Sequence, residues 1–76
     1  MHEIAIGLRI KLERIRRGIL QRRVAADTNI PATVLSQIEN NWVAPTREQV
    51  EKICSAIGIR PEDLGVWVEE SPSGNR

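Results

Sequence analysis

Between Gln21 and Asn41 the apolar residues form two short helical sets separated by a three-residue break. Val24 and Ala25 lie on the inner side of a first segment that begins near Gln21. Leu35 and Ile38 anchor the inner side of a second. The break, Asn29-Ile30-Pro31, has the chemistry of a corner. Asparagine takes positive φ more readily than most residues, Ile30 can plug the angle, and Pro31 gives up no hydrogen bond in a first helical turn. The second helix is therefore expected to start at or just after Pro31 and to end at Asn40-Asn41. Ala32, Thr33, Ser36 and Gln37 are left on its outward side.

The clearest helix start lies further on, where Pro45 precedes the capping-box sequence Thr46-Arg47-Glu48-Gln49. Val50, Ile53, Cys54 and Ile57 follow at i, i+3, i+4 and i+7, and Gly58 ends the run. A short turn is expected around Pro61 to Leu64. Before the two central segments, a first helix is predicted from about Glu3 to Arg16, stopped by Arg17-Gly18. Its plain periodicity picks out one stripe, Ile4, Leu8, Leu12 and Ile15. Residues 71–76 are polar, contain Gly and Pro, and read as a disordered tail.

Composition narrows the picture. At 76 residues there is room for one domain and one modest core. The absence of Phe and Tyr makes that core aliphatic and leaves Trp42 and Trp67 as unusual side chains. A single cysteine cannot form an internal disulfide, and one histidine beside one cysteine cannot build a zinc site, so a reducing cytoplasm is expected. No apolar stretch approaches the roughly 20 residues of a membrane span, and no signal-peptide core opens the chain. The net charge of +1 conceals an asymmetry. Residues 1–23 carry seven basic and two acidic side chains, and the remainder carries four basic and eight acidic. Positive charge thus gathers on the first helix and the start of the second, where a phosphate backbone could pass. Catalysis is not expected: His2 sits at a terminus that frays, Cys54 lies on an apolar face, and Glu69-Glu70 reads as a solubilising end.

An ordered set of residues goes further. Ile6-Gly7, Arg9-Ile10-Lys11, Arg14, Arg17-Gly18, Gln21, Ile38-Glu39-Asn40, Pro45, Ala56-Ile57-Gly58-Ile59 and Pro61-Glu62-Asp63-Leu64 together resemble the phage repressor and Cro-type helix-turn-helix family. The resemblance runs from about residue 6 to residue 64. It implies an all-α, compact five-helix domain of the lambda-repressor kind over residues 1–70, with the helix-turn-helix at about 21–41. It also implies an inner face of Ile6, Ile10, Arg14 and Arg17 for the first helix, nearly opposite the stripe that periodicity selects. That stripe then needs a cover, either Val66-Trp67-Val68 of the same chain or a second subunit. Arg14 and Glu39 match an arginine and a glutamate that pair in the family, a guanidinium–carboxylate fork fixing two helices in one orientation.

By the same resemblance Ala32, Thr33 and Gln37, with Ser36 nearby, are expected to face bases of operator DNA. Gln21, Arg22, Asn40, Asn41 and Trp42 are expected along the phosphate backbone. There are departures. Leu20 and Pro31 stand where capping residues are usual, and Thr28 stands where an aliphatic side chain is usually buried. Each is expected to cost about 0.5 to 2 kcal/mol of local order. The recognition helix carries no Lys or Arg, so a homodimer on a near-palindromic site is the expected remedy for weak monomer binding. Trp42-Val43 either fill the joint between the third and fourth helices, contact a second copy, or pack on the sugar-phosphate edge. The function implied is a cytoplasmic, dimeric transcriptional repressor of the phage, restriction-controller or antitoxin type, without cofactor, metal or small-molecule ligand. The alternative is a protein-binding adaptor that uses the scaffold and the apolar face of the first helix.

Overall fold

Helix starts and stops follow the local chemistry of the chain most visibly around residues 46–58. In the computed structural model, which describes residues 5–64, the Thr46 hydroxyl accepts the Gln49 N–H at 3.1 Å. The Gln49 side-chain carbonyl accepts the Thr46 N–H at 2.9 Å, completing the reciprocal cap. The helix it opens ends at Gly58, whose φ of 86° is cheap only without a Cβ. Among the described residues four α-helices and one 3-10 turn follow in order: α1 (Ile6–Arg16), α2 (Gln21–Thr28), α3 (Ala32–Glu39), α4 (Arg47–Ile57) and the turn Pro61–Leu64. The fifth element is the short turn expected at Pro61–Leu64, in 3-10 form, so the described residues hold four α-helices where the resemblance implied five helices.

The four helices close on an aliphatic centre. α2 packs against α4 and α3, α1 crosses α3 and α4, and the 3-10 turn closes against α1 and α4. Ile10, Val24, Leu35, Ile38, Val50, Ile53 and Leu64 are fully buried there, each contributing about 1.5 to 3 kcal/mol of transfer free energy. The corner between α2 and α3 is built as its residues suggest. Asn29 takes the left-handed conformation at φ 64°, Ile30 is buried beneath it, and Pro31 holds the extended position before α3.

α1 takes the register of the resembled family. Gly7 and Ile10 are buried and Ile6 packs on the core, whereas Leu8, Leu12 and Ile15 are exposed. Gly7 explains the choice. A Cβ there would collide with the backbone carbonyl of Ile38 and come within 2.7 Å of Asn41 Oδ1, so only glycine lets α1 lie this close to the end of α3.

Some expectations need correction. α1 begins at Ile6 and not near Glu3, because Ala5 is extended (φ −60°, ψ 146°) and offers no side-chain cap. Arg17 is not on the inner face. It follows the last turn of α1, is exposed, and pairs with Glu13 one turn back. Thr28 is buried without penalty, since its hydroxyl donates to Val24 O at 2.7 Å and accepts the Ile30 N–H at 3.2 Å. Trp42 and Val43 do not fill the joint between α3 and α4; both are exposed. Ile4, the candidate cover around Trp67, the domain limit at residue 70 and the tail 71–76 lie outside the described residues. Among the described residues no helix is long and apolar enough to cross a membrane.

Candidate nucleic-acid interface

The orientation of α3 is fixed from inside by a buried carboxylate. Glu39 is 2% exposed, and the half-buried Arg14 meets it as a two-pronged fork. Nε–H donates to Oε2 at 2.8 Å and an Nη2–H donates to Oε1 at 2.9 Å. The third prong of Arg14, Nη1, donates to the carbonyl of Ile19 at 2.8 Å, and the Gln21 amide donates to Glu39 Oε1 at 3.1 Å. One carboxylate thus ties α1, the loop before α2, the first residue of α2 and the end of α3. Charged groups this buried contribute little net stability when paired, but each makes loss of its partner costly. Their effect is geometric: α3 is locked at both ends, by this network and by the Asn29–Pro31 corner.

The opposite side of α3 is open. Ala32 and Thr33 are exposed, and Ser36 and Gln37 half-exposed, while Leu35 and Ile38 point into the core. Ala32, Thr33, Ser36 and Gln37 line one shallow concavity together with Asn40 and Trp42. The structure therefore brings all four outward residues onto one surface. A Gln amide, a Thr hydroxyl and a small apolar Ala form the kind of mixed donor, acceptor and methyl-sized set that reads base edges in a major groove.

The residues expected along the phosphate backbone divide in two. Arg22 is exposed at the start of α2, whereas its neighbour Arg23 is paired with Asp27 at 3.2 Å. Gln21 also serves the interior through Glu39, and the exposed Asn41 lies with its Oδ1 beside Gly7. Asn40 lies on the surface and its amide donates to the Ser36 hydroxyl at 3.4 Å. Thr28 and Ile19 support the site without having been singled out for it, and for Ile19, which acts through its backbone carbonyl, spacing carries no signal. Thr28 stood in plain view as a threonine four residues after an inner-face valine, the spacing at which its hydroxyl bonds back to the helix.

Cys54 contributes nothing to this surface. It is buried in the core face of α4, and burial, with help from Asp63 and Glu62, pushes its thiol from 9.0 to about 11. A thiol held neutral is a weak nucleophile. Among the described residues no group of three or more His, Cys, Asp or Glu side chains gathers where a metal ion could sit.

Helices at this spacing, a left-handed corner, a core-anchored second helix and an open face upon it define a helix-turn-helix domain. The model of a helix-turn-helix family matches residues 10–64, which include α2, the corner, α3, α4 and both partners of the Arg14–Glu39 fork. The chain belongs to that family, of the Cro and phage-repressor type. Membership makes it a DNA-binding transcription regulator, in a family whose domains bind and typically do not catalyse. Comparison with curated proteins found no match.

Proposed function

We propose that the chain is a sequence-specific repressor that binds double-stranded operator DNA as a homodimer, in the cytoplasm, within a phage, restriction-control or antitoxin system. The observation that carries this reading is the open concavity of α3, on a helix whose other side is held by the Arg14–Glu39 fork. Gln37 reads through its amide, Thr33 through its hydroxyl or methyl, Ala32 through a methyl contact, and Ser36 assists. Gln21, Arg22, Asn40, Asn41 and Trp42 flank these readers along the phosphate backbone and set the register. The N-terminus of α2 carries no side-chain cap, so its free N–H groups remain available to a phosphate beside Gln21. No cofactor, metal or small-molecule effector is needed.

The charge of α3 favours a dimer. From Pro31 to Thr46 there is no Lys or Arg, so one α3 gains little from phosphate neutralisation and two-fold repetition has to supply the missing affinity. A protection footprint on the DNA flanking the chain's own gene tests the reading. Two protected patches one helical turn, about 34 Å, apart support it. No protection at concentrations that saturate a random duplex contradicts it.

One observation favours the adaptor reading. Leu8, Leu12 and Ile15 are exposed together on α1, an apolar band suited to a protein partner. A salt titration against random duplex separates the two readings: phosphate contacts require affinity to fall steeply with salt, and an adaptor has almost no such slope.

A further inference from the structure

Trp42 is 79% exposed, the most exposed large apolar side chain among the described residues. Its position is nevertheless fixed by the backbone. Asn41 takes the left-handed conformation (φ 63°), its N–H bonds Ile38 O at 3.1 Å, and the Trp42 N–H bonds Gln37 O at 2.9 Å. This paired closure of a helix C-terminus holds the residue after the left-handed position against the last turn. The indole consequently lines the same concavity as Thr33, Gln37 and Asn40. No hydrogen bond of the described residues involves its Nε1–H.

The surroundings determine what such a group can hold. None of the residues lining this concavity is Lys or Arg, so its own side chains bring no positive charge to a phosphate. A DNA strand also presents the apolar face of each deoxyribose, with a phosphate oxygen beside it. An indole has an apolar face and one N–H donor at its edge, the matching pair. We propose that Trp42 clamps the DNA backbone at the C-terminal end of α3, its ring packed on a deoxyribose and its Nε1–H donated to the adjoining phosphate. This rests on the DNA-binding reading and deepens it: part of the affinity is non-ionic, independent of base sequence and insensitive to salt.

The test uses the full chain and a labelled random-sequence duplex, with affinity measured from about 50 to 200 mM salt, the range over which ionic contacts are lost. Trp42→Ala is expected to weaken binding about tenfold at every salt concentration, leaving the slope of log affinity against log salt unchanged. Trp42→Phe, which keeps a ring, is expected to lose less. Trp42→Lys is expected to recover affinity at low salt and to steepen the slope by about 0.9, one new phosphate contact. Because the side chain is exposed, all variants should melt with the parent. Parental affinity in Trp42→Ala, or a loss that disappears at high salt, overturns the clamp and leaves the DNA reading intact. Conversion of a dimer into a monomer by Trp42→Ala, seen in sedimentation, also overturns it by placing the indole between copies. A parent chain that binds no duplex at any salt overturns both the clamp and the reading beneath it.

Discussion

α4 and α1 are both eleven residues long, and they serve the domain in different ways. α4 is capped by Thr46 and Gln49, closed by Gly58, and buries Val50, Ile53, Cys54 and Ile57 along one side. α1 has no side-chain cap, buries only Gly7 and Ile10 fully, and leaves Leu8, Leu12 and Ile15 exposed. Besides Ile10 in the core and Ile6 packed on it, α1 is set against α3 by one close backbone approach at Gly7 and one ion pair at Arg14. α4 is thus a packing helix, whereas α1 is a positioning helix for α3. A helix that packs displays its role in apolar periodicity. A helix that positions does so through residues that periodicity counts as polar or empty.

Truncation in the packing helix should have the largest effect. Ile53→Ala is expected to destabilise the domain by about 3 to 4 kcal/mol, because a fully buried side chain leaves a cavity between α4 and its neighbours. A urea melt losing less than about 1 kcal/mol would place Ile53 outside the core.

Next comes the fork. Glu39→Gln leaves the half-buried Arg14 guanidinium without its counter-charge and is expected to cost about 3 kcal/mol. Since α3 is then free to tilt, binding to DNA should weaken although no base contact is removed. An unchanged melting curve would mean that the carboxylate does not hold Arg14 in solution.

Gly7→Ala is expected to cost about 2 kcal/mol. The added methyl meets the carbonyl of Ile38, a backbone atom that can move only if α1 and α3 separate. Helix propensity alone favours alanine by about 1 kcal/mol, so the sign of the change is itself diagnostic. A more stable variant would contradict the close approach.

The smallest effect belongs to the outer stripe. Leu12, 44% exposed, should tolerate Leu12→Glu within about 0.5 kcal/mol of stability. A loss well above 1 kcal/mol would mean that another part of the chain covers the band. Unchanged stability with a dimer turned monomer in sedimentation would make it the contact between copies.

The same contrast explains what could be read in advance. The limits of α4, the left-handed Asn29 and the inner residues of α2 and α3 follow from capping chemistry and spacing, both local properties. The register of α1 does not. Plain periodicity picks out Ile4, Leu8, Leu12 and Ile15, and only the resemblance, through Ile6-Gly7, Arg17-Gly18 and Gln21, selects the side that is buried, although Arg17 itself lies outside it. Long-range geometry was hidden as well. Gln21 looks like a surface amide until Glu39 lies beside it, and Thr28 looks like a misfit until its hydroxyl meets Val24 O and the Ile30 N–H. Trp42 shows the limit of composition: a tryptophan suggests a filled joint, yet it follows the left-handed Asn41 and lies exposed beside the open side of α3.

Selection of bound duplexes from a random-sequence pool, by the parent chain and by Gln37→Ala, tests most directly whether the open face of α3 reads bases. The parent should enrich a two-fold symmetric motif. Gln37→Ala should lose preference at one base pair in each half-site, costing about 1 to 3 kcal/mol on the parent motif while leaving random-DNA affinity alone. The same enriched motif from both proteins, or equal losses on specific and random duplex, would contradict the account.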